Sequence, residues 1–80
     1  MAHENKVVHS FNFEDELRCV DVFVRPDGTF GFEEYRRDPE DGRGWFPIGF
    51  HAEQRFATSA AALMGAILQV HWLAGAMPTR

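Results

Sequence analysis

Residues 17–37 read LRCVDVFVRPDGTFGFEEYRR, and this stretch decides the fold. Val20, Val22 and Val24 recur at two-residue spacing, which puts them on one face of an extended chain. The following RPDGT holds Pro26, with φ already near the turn value, then Asp27, then Gly28, where positive φ costs little. That order suits a three-residue hairpin turn whose last residue makes a G1 bulge. With Arg25 facing Thr29, Val24 faces Phe30 and Val22 faces Phe32. The register gathers Val20, Val22, Val24, Phe30 and Phe32 into one apolar patch. The opposite face then carries Cys19, Phe23, Gly31 and Tyr35, with Asp21 facing Glu33. Together with Arg25 and Arg37, Phe23 and Tyr35 make that face a candidate ligand surface.

Downstream, DPEDGRG (38–44) combines Pro39, Gly42 and Gly44 with charges and reads as a loop. In WFPIGF, Phe46, Ile48 and Phe50 alternate, predicting a third strand over 45–51 with Pro47 demanding an edge or a bulge. The alanine-rich run after Thr58 and Ser59 predicts a helix over 59–73, with Gly75 and Pro78 as stop signals. On that helix Leu63, Ile67 and Val70 form one stripe and Met64, Leu68 and Trp72 a neighbouring one. Upstream, residues 1–10 show no sustained period and read as a mobile arm, while Phe11 and Phe13 alternate and can add a short edge segment.

The expected fold class is therefore α+β, β-β-β-α: a three-stranded antiparallel sheet packed against one C-terminal helix. The expected division is an arm over 1–14, one compact domain over 15–76 and a tail over 77–80. The core expected from this register is Val20, Val22, Val24, Phe30, Phe32, Phe46, Ile48, Phe50, Leu63, Ile67 and Val70. A chain of 80 residues buries only about 60% of its extended surface. So small a core leaves little room for an enclosed active site.

Composition narrows the function classes. Apolar residues make up 45% of the chain and aromatics 14%, which argues against disorder throughout. The formal charge of −4 counts against non-specific binding to polyanions. Residues 1–44 hold eleven acids and six bases, whereas 45–80 hold one acid, Glu53, and the bases Arg55 and Arg80. Cys19 is the single cysteine, so no intrachain disulfide framework exists. The N-terminal stretch is acidic without a signal-peptide apolar core, and cytoplasm is the expected location.

No catalytic constellation emerges. Cys19 lies in a predicted strand without a CxxC companion or a nearby basic cluster to lower its thiol pKa. His71 sits in an apolar helix, and His51 with Glu53 offers too few ligands for zinc. Glu33, Glu34, Asp38, Glu40 and Asp41 supply carboxylates, but no apolar pocket to separate their protonation states. Neither a calcium loop nor a phosphate-binding glycine loop is present. The expectation is a non-enzymatic protein-interaction or structural module with no catalytic, cofactor or metal site; a chain contributing to an intersubunit enzyme site is an alternative.

Between Ala60 and Ala76 the strongly polar residues are Gln69 and His71. One helix face can pack on the sheet, which leaves Met64, Leu68 and Trp72 for a homodimer contact or another protein partner, with Trp72 as anchor. The apolar run falls short of membrane-spanning length, so no membrane association is expected.

DGTF, the strand GWFPIGF and FATSAAALMGA entering the helix carry a resemblance that covers roughly residues 24–68. The plan resembles plant AP2-type and phage-integrase arm-binding domains, and is similar to small uncharacterised bacterial domains with a three-stranded sheet and a C-terminal helix. The first two imply DNA reading by the sheet. Arg18, Arg25, Arg36, Arg37, Arg43 and Arg55 would then supply the basic face, although Asp21, Glu33 and Glu34 interrupt it.

Overall fold

Strands β2 (Arg18–Val24) and β3 (Phe30–Arg36) pair antiparallel in the register that the alternation predicts, with Val24 opposite Phe30, Val22 opposite Phe32 and Phe23 opposite Gly31. At the turn, Arg25 N–H donates to Thr29 O (2.8 Å) and Gly28, at φ 89°, donates to Arg25 O (2.9 Å). Asp27 accepts from the Thr29 N–H (3.0 Å) and hydroxyl (2.7 Å), bonds that hold its carboxyl below the usual range. The computed structural model describes residues 5–13, 17–40, 42 and 44–76. The tail over 77–80 lies outside them, as does Arg43.

The sheet has four strands in the order β1-β2-β3-β4, and two helices complete the fold. The three-stranded sheet with one helix is thus corrected, and the structural likeness drawn from that plan falls with it. The α+β class and the antiparallel sheet stand.

The extra strand is β1 (Lys6–Asn12), inside the stretch that patterning assigns to the arm. It pairs with β2, and the register shifts between Val7 and His9. Val7 lies opposite Phe23 on one face and His9 opposite Val22 on the other, with Val8 as the extra residue of a bulge. The bulge breaks the two-residue period over this segment, which is why KVVHSF does not read as a strand.

β4 is only Phe46–Pro47, where a strand over 45–51 is expected. Pro47 has no N–H to donate. The next residue, Ile48, still donates to Glu34 O (2.9 Å), but Phe50 then takes φ 56° and the chain leaves the β3 edge. It returns at Phe56, which exchanges two backbone hydrogen bonds with Phe30 (2.8 and 2.9 Å).

α1 spans Ser59–Gln69, capped by the Thr58 hydroxyl, which accepts from Ala61 N–H (3.0 Å). Ala62 and Ala66 are its fully buried residues, so the small side chains set the helix close to β2 and β3, with Leu63 and Ile67 packed at the flanks. The predicted helix does not run on to residue 73. It stops after Gln69, turns through 70–72 and restarts as α2 (Leu73–Ala76). In one continuous helix residues 70 and 72 stand about 200° apart and could not both face the sheet. The break lets Val70, Trp72 and Leu73 all join the core.

That core comprises Val20, Val22, Phe32, Ala62, Ala66, Val70, Trp72 and Leu73, with Phe11, Phe13, Phe30 and Phe56 packed against it. Phe50, expected inside, is 84% exposed. Among the described residues no helix is long and apolar enough to cross a membrane.

Candidate binding surfaces

The helices cover one face of the sheet; the other is divided by the chain crossing the β3 edge at residues 48–56. At the end near the hairpin, Arg25 lays its guanidinium over the Phe23 ring (5.1 Å). The same group donates to Phe30 O (3.0 Å), Gln54 O (3.0 Å) and Ala52 O. Phe23 is thereby buried on what alternation alone marks as a solvent face. Gly31 is required beneath it: a Cβ there would lie 2.9 Å from Phe23 Cζ and 2.7 Å from Arg25 Nη2.

Glu33, on the same face, is also buried, and its Oε1 accepts from Glu34 N–H (2.8 Å) and His51 N–H (3.2 Å). The His51 ring stacks on Phe32 (4.9 Å), and Gln54 exchanges two amide hydrogen bonds with Gln69 of α1 (2.8 and 2.9 Å). These contacts fix the segment around Phe50 from both sides, while the Phe50 side chain itself points to solvent.

Among the described residues nothing roofs the far end of the face. A groove of about 510 Å³ is lined there by Ser10, Asn12, Cys19, Asp21, Tyr35 and Trp45. Ser10 Oγ donates to Asp21 Oδ1 (2.7 Å), and Cys19 Sγ lies 4.0 Å from the same oxygen. Burial, and then the Asp21 charge, push the Cys19 thiol up to about 11. Burial also raises the Tyr35 phenol, followed by the charges of Asp21 and Glu33 and by Cys19. A protonated thiol is a poor nucleophile, so Cys19 is chemically quiet at neutral pH. Arg37 rests over the Trp45 ring at the rim (5.1 Å).

The structure separates the residues that sequence reasoning groups together. Phe23 and Arg25 serve the covered end, whereas Tyr35 lines the groove and Arg37 flanks it. Of the helical strip, Met64 (59% exposed) and Leu68 (79%) face solvent, but Trp72 is only 8% exposed. Its ring meets Phe13 edge-on (5.2 Å) and its Nε1–H donates to Glu34 Oε2 (2.8 Å). Sequence reasoning put Asp21 on this face but missed Ser10 and Asn12 as groove residues, because β1 was not read as a strand, and it placed Phe50 in the core.

The arginines named for a DNA-reading face are largely engaged: Arg18 with the Phe13 ring, Arg25 with backbone carbonyls, Arg37 with Trp45, and Arg55 with Asp27 (2.9 Å). Among the described residues no group of three or more His, Cys, Asp or Glu is placed to hold a metal ion. Compared with protein-family models, curated proteins and solved structures, the chain finds no match in any of the three.

Proposed function

We propose that this chain is a small non-enzymatic protein-interaction module of a reducing, cytoplasmic compartment, and that Phe50 is its anchor. The carrying observation is the combination of 84% exposure with φ 56° at a bulky residue. Left-handed backbone at a non-glycine residue costs about 1–2 kcal/mol, and strain of this kind persists where the surrounding structure enforces it. Here the enforcement comes from Arg25, Glu33 and His51. A rigid aromatic held out before binding loses little side-chain entropy when a partner pocket closes over it. Met64 and Leu68, on the helix tied to this segment by the Gln54–Gln69 pair, add uncharged apolar surface. A homodimer is one form of the same reading. The sheet-based DNA reading draws less support, because Asp21 and Glu33 lie at the middle of the face and the arginines serve internal contacts.

Two substitutions test the anchor. Phe50→Gly relieves the backbone conformation and should raise stability by about 1 kcal/mol in chemical denaturation, since little packing is lost. Phe50→Ser should abolish the retention of specific proteins on the immobilised chain, or shift a dimer to monomer in sedimentation equilibrium, with an unchanged folded-state spectrum. Identical partners and identical mass for the wild type and Phe50→Ser would sink the proposal.

A further inference from the structure

We propose that the groove at the uncovered end of the sheet binds an organic cation, a guanidinium or alkylammonium group, between the Asp21 carboxylate and the rings of Tyr35 and Trp45. The site is separate from Phe50, and the proposal does not rest on that residue's role.

Four observations converge. The groove, about 510 Å³, lies within the range of small-ligand sites. Among the described residues its lining contains one carboxylate, an amide, two hydroxyl groups, a thiol and an indole, and no Lys, Arg or His. No ion pair between described residues reaches Asp21, and the contacts to its carboxylate from Ser10 and Cys19 both fall on Oδ1, which leaves Oδ2 without a bond from a described residue. Two aromatic residues stand beside the carboxylate, and ring faces attract cations through their quadrupole. Arg37 lies over the Trp45 ring (5.1 Å), so this indole already takes a guanidinium against one of its faces.

The chemistry of the lining excludes the alternatives. An anion would meet the Asp21 charge with no basic group among the described lining residues to offset it, Arg37 standing at the rim over Trp45. Burial is the first cause of the raised Cys19 thiol and Tyr35 phenol, and the Asp21 charge adds to both in the same direction. A neutral ligand such as a sugar can use rings and amides, but it would cover Asp21 without compensating its charge, and burying an unpaired carboxylate is costly. A divalent metal would find a single carboxylate, too few hard oxygen ligands. A monovalent organic cation satisfies charge, rings and acceptors together.

The test is an NMR titration of the folded chain with N-acetyl-arginine methylamide, compared with the citrulline analogue, which has the same shape and no charge. The expected result is saturable shifts at the amides of Asn12, Cys19 and Asp21 and at the Trp45 indole N–H, with Kd of about 0.1–10 mM. Citrulline should bind at least about tenfold more weakly, and added salt should weaken the arginine probe. Asp21→Asn should lose at least about tenfold in affinity with its spectrum still dispersed, while Arg37→Gln, which removes the competing cation at the rim, should bind as well or better. A blocked Gly-Gly-Arg-Gly-Gly peptide distinguishes the sources of the group. Tighter binding than the amide assigns the groove to a protein side chain, and equal binding assigns it to a free cation. Equal affinity for arginine and citrulline, unchanged affinity in Asp21→Asn, or no saturation by about 50 mM would each overturn the proposal.

Discussion

The two ends of the sheet's outer face are built from the same strands with the same alternation, yet one end is interior and the other is an open groove. At the hairpin end, Phe23 and Glu33 are buried because Arg25 and the segment crossing the β3 edge roof them over. Asp21, on the same rung as Glu33, and Cys19 and Tyr35, two residues further along at about 3.3 Å per residue, line an open groove. The difference arises from where one connecting segment runs. Polar groups at the covered end are consumed by the fold, whereas those at the open end remain available to something else.

The sharpest way to break this contrast is to remove the roof. Arg25→Ala deletes donors to the carbonyls of Phe30, Ala52 and Gln54 and uncovers the Phe23 ring. It should cost about 3 kcal/mol in urea denaturation. Gly31→Ala pushes a methyl group against Phe23 and Arg25 and should cost about 2 kcal/mol, with shifted ring resonances of Phe23 by NMR. At the open end the expectation reverses. Asp21 faces Glu33 across the strands, so Asp21→Asn removes a like-charge pairing and should change stability by no more than about 0.5 kcal/mol.

The open end also has a pH signature. The thiol of Cys19 is held at about 11 in the folded chain, above its ordinary value, so the folded state holds that proton more tightly. The associated stability is fully present below about pH 8.5 and is lost as pH climbs through the folded value. The Tm, followed by near-ultraviolet circular dichroism, should fall between about pH 9 and 11, and Cys19→Ala should flatten part of that fall. Tyr35 accounts for a further part, since its shift has the same sign. An unchanged slope in Cys19→Ala would show that the folded chain does not raise the thiol.

The hairpin was legible because strand period and turn chemistry agree: Val20, Val22 and Val24 set the face, and Pro26–Asp27–Gly28 sets the register. β1 was hidden by one inserted residue, Val8, which inverts the parity between Val7 and His9. Phe50 follows the alternation of Phe46 and Ile48, so local pattern places it inside. Its exposure depends on contacts to Arg25, Glu33 and Phe32, all remote in sequence. The stripe on α1 was read one position off, since Ala62 and Ala66 rather than Leu63 and Ile67 lie deepest. Small residues permit the closest approach of helix to sheet, and a hydrophobicity pattern does not weigh size. Trp72 turned inward because the helix breaks at Val70, where no glycine or proline announces it.

Both margins of the sheet are closed to main-chain growth. On one side β4 offers two residues, one of them a proline, before the chain swings away. On the other, the bulge at Val8 leaves residues 9–12 as the regular stretch of β1, a short template for an incoming strand. A second chain therefore finds only short stretches of regular edge along which to extend the ladder. Whatever joins this molecule must recognise side chains, by shape and charge, instead of zipping onto its backbone.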